Sequence, residues 1–451
     1  MGVTLLEFVA LFVTVIFLSY VAMIVLPFMR RSPTLPGDST DFEWHFFIPA
    51  RDEQAVISAT VRRCLDQFPL AHVWVVDDAS EDATAAIVDG IAAEDGRVHL
   101  VRRVAPNART GKGDALNAAY AALDAWFPEW GDRTRVIVGV LDADGRLASN
   151  ALRYMASESV FGDPTIGAAQ IAVRMENREY LPHLAGVSRL GPRFSRFLVR
   201  MQDMEFMTTM SAMQMLRERT GSVGMGGNGQ FSRLAALDAI AQRYDQPWHG
   251  ALLEDYELGL HILLSGYKNR FVYDTYVEQE GLLSVRRLVT QRTRWTQGTM
   301  QCSVYLRQII RSPNFTNAGV VESCYFLVTP WLQVIGVFMW PFLLIFTGFQ
   351  AFAYPQGPGA FVAEFWPVAG VTLLFGAMPF IMWGPIYRRV VDRSLTKRQA
   401  WIYGFGNAIY LYYTYLSTPR ALVRIVTGRR GWAKTRRNAE AMVRGPVASD
   451  V

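Results

Sequence analysis

The sequence predicts an α/β domain with a mostly parallel sheet covered on both faces, held between apolar helices. Three observations carry this. Short apolar runs alternate with segments of helical period from Trp44 to Leu141, the pattern of βα units whose helices cover a sheet. Two of those runs end in paired acids, Asp77-Asp78 and Asp142-Ala143-Asp144. The longest apolar stretches lie outside this region, near the start of the chain and in its last third. That separation accounts for a mean hydropathy of +0.13, high for one uniform soluble globule.

The elements follow in order. Leu5–Phe28 is apolar apart from Glu7, Ser19 and a few small polar residues, long enough at about 1.5 Å per residue to cross a hydrocarbon core of about 30 Å. The basic pair Arg30-Arg31 follows the run, which argues for an uncleaved anchor rather than a signal peptide. By the positive-inside rule the chain after residue 30 is cytoplasmic. Residues 1–30 therefore read as a transmembrane helix and residues 41–285 as a cytoplasmic domain. Within it Trp44–Pro49, His72–Val76, Val98–Val101 and Arg135–Leu141 read as strands. Glu53–Gln67, Glu81–Ala93 with Ser80 as its cap, Gly111–Trp126 and Leu252–Leu264 read as helices. Residues 286–312, rich in arginine, read as an amphipathic interfacial helix snorkelling toward anionic headgroups. Residues 318–427 read as further transmembrane and interfacial helices. Val320–Phe349 and Phe365–Ile386 are its two spans, and Trp401–Thr418 reads as interfacial or re-entrant, which keeps the basic tail 428–451 in the cytoplasm, with a third full span as the alternative.

Composition excludes several classes. With 12 Trp, 27 Phe and 18 Tyr the chain buries too large a core to be disordered. Cys64, Cys302 and Cys324 are few and widely spaced, so no disulfide scaffold is present. The net charge of +5 clusters beside apolar segments, where anionic lipid explains it better than nucleic acid does.

Several motifs carry chemistry. In Asp142-x-Asp144, two carboxylates after a buried strand can share a divalent cation, Mg²⁺ or Mn²⁺, with substrate phosphates; acids that merely form a turn are the ordinary alternative. Asp77-Asp78 can accept from a nucleotide or form a turn. Glu254-Asp255 can act as a general base or favour a helix N-terminus. Gln291-x-x-Arg294-Trp295 offers a charge for a diphosphate and a flat face for a sugar. Gly111-Lys112-Gly113 is not a Walker A, because Gly113-Asp114 follows the lysine, although a lysine at a helix start can meet phosphate. Gly226-Gly227-Asn228-Gly229 lets backbone approach a ligand or forms a plain turn.

In this order the motifs resemble the family 2 glycosyltransferases. The narrower resemblance is to the membrane-integrated branch that includes cellulose, chitin, hyaluronan and poly-N-acetylglucosamine synthases. Phe47–Glu53 matches that family's first strand and loop, Val75–Ser80 its nucleotide turn and Gly111–Asn117 its lysine motif. Asp142–Asp144, Glu254-Asp255 and Gln291–Trp295 match its metal, acid and Q-x-x-R-W motifs. The resemblance implies a GT-A fold, a Rossmann-like mixed sheet, with single inverting displacement at the anomeric carbon. It implies a nucleotide site of Ala50, Arg51, Glu53, Asp77, Asp78, Lys112 and Asp142. Asp144 with Asp142 would hold the metal. Asp255 would be the base, with Glu254, Gln291, Arg294 and Trp295 completing the catalytic set. Gly227, Asn228 and Gly229 would form the acceptor loop, where Trp295 stacks on the acceptor. The donor would be a nucleotide sugar, UDP ahead of GDP. The acceptor would be a growing β-linked polysaccharide coupled to export, with a lipid acceptor as the alternative and a non-enzymatic transporter or sensor as the remote one. The implied location is the cell membrane, multi-pass, and so small a membrane part would need a homo-oligomer to pass a polymer. Trp432, Thr435 and Arg436 loosely resemble a tryptophan–threonine–basic element of some such enzymes.

Overall fold

The computed structural model of the protein describes residues 5–179 and 191–429. Its centre is one sheet of strands β1 (Glu43–Ala50), β2 (Ala71–Asp78), β3 (Val98–Arg103), β4 (Val136–Val140), β5 (Arg146–Leu147), β6 (Ile166–Met175), β7 (Gln230–Arg233) and β8 (Lys268–Gln279), in the order β3-β2-β1-β4-β7-β6-β8-β5. The first half, β3-β2-β1-β4, is parallel throughout. β7 then runs antiparallel to both β4 and β6, and β6 pairs parallel with β8. The sheet is therefore mixed. The parallel half matches the βα pattern of the sequence; the strands after Leu141 come from distant segments whose pairing has no local signal.

Alternation along each strand divides the core. On β1, Phe47 joins Trp74, Val76, Leu116 and Leu123 on one face, while Phe46 and Ile48 join Val61, Val73, Val75 and Val88 on the other. The helices Ile57–Gln67 and Thr84–Glu94 cover the second face and Lys112–Trp126 covers the first. All three begin later than the sequence suggests, the third by a single residue. Ser80 does not cap the helix after β2, because its hydroxyl accepts the Asp52 N–H at 3.0 Å and ties two strand-end loops together.

The C-terminal third forms Val285–Cys302, Leu306–Arg311, Asn317–Phe352, Pro358–Ile381, Trp383–Val390, Lys397–Tyr410 and Thr414–Val426. Among the described residues one helix, Asn317–Phe352, is long and apolar enough to cross a membrane; Val15–Met29, within Leu5–Met29, is a shorter apolar stretch. Within the arginine-rich helix one arginine turns inward instead of toward headgroups. Arg292 is 2% exposed and pairs with Glu205 on the π-helical turn Glu205–Met210. Tyr410 and Tyr413 complete the cluster, donating to Glu205 Oε2 at 2.7 Å and Oε1 at 2.8 Å. Two aromatics of the segment read as interfacial thus turn into the protein, because a buried carboxylate needs their hydroxyls. The basic tail beyond Arg429, with Trp432, Thr435 and Arg436, lies outside the described residues.

Candidate active site

β1, β2 and β4 are parallel and end on the same side of the sheet, where open α/β sheets bind ligands. A cavity of about 460 Å³ opens there. Ala50, Arg51, Glu53 and Asp78 line it from the ends of β1 and β2, and Asp142 and Asp144 from the turn after β4. Lys112, Gly227, Asn228, Glu254, Asp255, Gln291, Arg294 and Trp295 line it as well. Of the expected site residues, Asp77 and Gly229 are the two absent from this lining. A Cβ at Gly229 would stand 2.7 Å from Val277 and 2.8 Å from Ile171, so this glycine serves core packing.

Each motif has a local reason for its place. The turn after β4 is held by the Gly145 N–H on the Asp142 carbonyl at 2.7 Å and by the Thr60 hydroxyl on the Ala143 carbonyl at 2.7 Å. Asn228 is buried and works as a brace: its Oδ1 accepts the Asp142 N–H at 3.2 Å and its Nδ2 donates to Gln279. Asp78 accepts from the buried Arg103 guanidinium and from the Arg109 N–H at 2.9 Å, which orders the loop leading to Lys112. Gly113 lets the start of the Lys112 helix lie against the acid motif, since a Cβ there would be 3.0 Å from the His249 carbonyl and 3.5 Å from Glu254 Cβ. Asn117 bonds both the N–H and the carbonyl of Trp248, fixing the loop before Glu254.

Electrostatics centre on Asp255. Burial, and then the charge of Glu254 beside it, push the Asp255 carboxyl up to about 7, against the pull of Lys112 and Arg294. Burial likewise raises Glu254. Burial alone would lower the Lys112 ammonium, but Asp142, Glu254 and Asp255 around it hold it above its usual value. Its Nζ lies 2.7 Å from Asp142 Oδ1. Among the described residues no three His, Cys, Asp or Glu side chains form a ready-made metal cage. The pair Asp142 and Asp144 still fits a hard divalent cation, which usually takes one or two carboxylates and completes its shell with phosphate and water.

Gly227 makes the site possible at its centre. Its φ is +78°, and a Cβ would stand 2.7 Å from Asp255 Oδ2 and 3.6 Å from Lys112 Nζ. Gly227→Ala is expected to lower kcat/KM roughly tenfold or more, from left-handed strain of about 1–2 kcal/mol plus displacement of the carboxylate. Steady-state kinetics on protein with a parent-like melting curve checks this.

Several site residues carried no sequence signal. Gln170 accepts the Gly226 N–H at 2.8 Å and donates to the Asn228 carbonyl at 3.0 Å, holding the glycine loop. Phe206, Met210, Met213 and Arg217, from the helical segment before that loop, line the cavity, as does Phe326 of Asn317–Phe352. Trp295 meets Phe206 edge-on at 6.0 Å, with the Arg292 guanidinium 4.2 Å from its ring centre. Gln297, on the helix that carries Trp295, donates to the Arg429 carbonyl at 2.7 Å.

The family described as "Glycosyltransferase like family 2" matches residues 44–298, and the chain belongs to it. The chain is similar to a β-monoglucosyldiacylglycerol synthase of Synechocystis sp., 32% identical over 289 residues, 62% of this chain and 53% of that protein. It is also similar to an undecaprenyl-phosphate mannosyltransferase of Micrococcus luteus, 33% identical over 124 residues, 28% of this chain and 47% of that protein. The chain thus spans about half the length of these curated relatives. In fold it is similar to the mannosyltransferase PcManGT of Pyrobaculum calidifontis, a structure in complex with GDP-Man and Mn²⁺, with a TM-score of 0.54 and 16% identity over 91% of this chain and 95% of that one. This agrees with the GT-A expectation.

Proposed function

We propose that the protein is an inverting glycosyltransferase that moves a sugar from a nucleoside diphosphate sugar to the hydroxyl of a membrane lipid. One observation carries this reading. A single cavity is lined both by the carboxylates at the strand ends and by Phe206, Met210, Met213 and Phe326, the last on the long apolar helix. The sequence motifs put a polysaccharide acceptor first and a lipid second; the apolar lining and the relatives' names favour the reverse order. Insertion in the membrane is supported by the apolar surface left bare on the C-terminal helices, including Phe338, Phe342 and Ile345 on Asn317–Phe352 and Val362 and Trp366 on Pro358–Ile381. Large bare patches of this kind mark contact with protein or lipid.

The chemistry follows from the residues. Asp255 takes the proton of the acceptor hydroxyl as its oxygen bonds to the anomeric carbon from the face opposite the leaving group. The bond from that carbon to the diphosphate breaks, and its electron pair departs with the nucleoside diphosphate. Arg294 and Lys112 face that growing charge, in a water-poor site where fixed charges count for more. A divalent cation held by Asp142 and Asp144 would add Lewis-acid stabilisation of the same diphosphate. Trp295 gives the sugar a flat apolar surface.

A screen of UDP- and GDP-sugars with the full chain in lipid–detergent micelles, read as nucleoside diphosphate release, tests this. Release is expected to require Mg²⁺ or Mn²⁺ and to rise with a hydroxyl-bearing lipid. Release that persists after chelation removes Asp142 and Asp144 from their role, and release indifferent to added lipid counts against a lipid acceptor.

A further inference from the structure

We infer that Gln301, with Gly298 and Tyr305 beside it, positions the base: the helix that carries Arg294 and Trp295 also sets where Asp255 stands. The inference rests on Asp255 as the base and adds the residues that hold it in register with the leaving-group side. Asp255 lies in the first turn of Glu254–Leu264, and Leu253 before that turn offers no side-chain cap. The entry of this helix is therefore fixed by other contacts. Val285–Cys302 and the turn after it supply them. The Leu252 N–H donates to Gln301 Oε1 at 2.8 Å. A Cβ at Gly298 would stand 2.6 Å from Leu253 Cβ and 2.7 Å from the Leu253 nitrogen, so the helix lies directly on the backbone of the loop. The Tyr305 hydroxyl donates to Glu257 Oε1 at 2.7 Å, and Glu257 Oε2 accepts the Ala251 N–H at 3.0 Å.

Arg294, Gly298 and Gln301 recur at helical spacing, on one face of Val285–Cys302. Arg294 lines the cavity together with Leu252, Leu253 and Asp255, while Gly298, Gln301, Tyr305 and Glu257 do not. These four therefore act on the loop and not on the substrate. From the other side Asn117 holds both polar atoms of the Trp248 backbone, so the loop is pinned at each end. The consequence is mechanical. An inverting displacement needs the acceptor hydroxyl and the departing diphosphate on opposite sides of the anomeric carbon. The spacing between their partners, Asp255 and Arg294, then counts for more than the place of either one alone. Tying both to one helix keeps that spacing when the helix shifts.

The test compares side chains of similar length at position 301. It uses the full chain in phosphatidylcholine vesicles carrying diacylglycerol, with the nucleotide sugar that gives the fastest diphosphate release. Gln301→Met removes the acceptor for the Leu252 N–H and keeps the bulk. It is expected to lower kcat roughly 10–10²-fold, the effect of a misplaced reacting group, while the KM for the nucleotide sugar stays near that of the parent. Gln301→Glu keeps an acceptor oxygen and, assayed where Asp255 is ionised, should regain most of the loss. In an Asp255→Asn background Gln301→Met should cost little more, because a residue that acts through the base has nothing left to place. If Gln301→Met melts early, Tyr305→Phe, which removes one hydroxyl, gives a second reading: a smaller fall in kcat, again absent in the Asp255→Asn background. Parent-like kcat in Gln301→Met, no recovery in Gln301→Glu, or a loss that adds in full to that of Asp255→Asn would overturn the inference while Asp255 stands as the base. Turnover that survives Asp255→Asn would defeat the base assignment itself.

Discussion

Asp255→Asn is expected to lower kcat by roughly 10³-fold while nucleotide-sugar affinity stays near that of the parent, because positioned general bases contribute about 10²–10⁴-fold. The substitution keeps the size of the side chain and its bond from the Tyr256 N–H at 2.7 Å, and removes the ability to take a proton together with the carboxylate charge. The same group sets the pH profile. Burial and the neighbouring Glu254 charge push Asp255 up to about 7, and the base works only when ionised. On the acid side kcat/KM should therefore fall about tenfold per pH unit below that value and level off above it. Glu254→Gln removes the neighbouring charge, and the acid limb should move to lower pH. Wild-type turnover in Asp255→Asn, or a flat profile from pH 5 to 8, would assign the base elsewhere.

Arg292→Met is the second large effect, and it acts on stability. Arg292 and Glu205 are 2% and 4% exposed, and the arginine lies against the Trp295 ring. Removing one partner of a buried ion pair leaves an uncompensated charge, at a cost of about 3–5 kcal/mol. The expected drop in apparent Tm is on the order of 10 °C for a chain of this size. Replacing both partners, Arg292→Met with Glu205→Gln, should recover most of it, since the amide oxygen can accept from one of Tyr410 and Tyr413 and the amide N–H can donate to the hydroxyl oxygen of the other. Melting curves of the parent, both single variants and the double variant in one detergent measure the coupling directly. A single variant as stable as the parent would contradict the structural role of this cluster.

What could be read from the sequence was what is local. β1, β2 and β4 announce themselves as apolar runs, and Asp78, Asp142 and Asp144 sit where those runs end. Glu254-Asp255 and Gln291–Trp295 are short motifs whose residue types suit the chemistry, and the cavity brings both to one place. Pairings across long stretches of chain were not legible. Arg217 meets Glu322 across 105 positions and Arg292 meets Glu205 across 87, and no periodicity encodes such partners. For the same reason Arg292 looked like one of a row of headgroup-facing arginines. Asp78 looked like a free acceptor for a base, although Arg103 and the Arg109 N–H already use one of its oxygens. Gly229 looked equal to Gly227 in the glycine cluster, yet one packs on Val277 and the other on Asp255. Met210 and Met213 line the cavity, yet at helical spacing they are indistinguishable from ordinary core.

The claim that a sugar passes to a lipid hydroxyl is tested most directly by the mass of the product. The full chain in vesicles with labelled nucleotide sugar should yield an organic-soluble product whose mass equals the acceptor lipid plus one or a few sugars. It should vanish in Asp255→Asn. A polydisperse, water-soluble glycan with no lipid at its end would contradict the account and return the protein to the polysaccharide synthases that its motifs resemble.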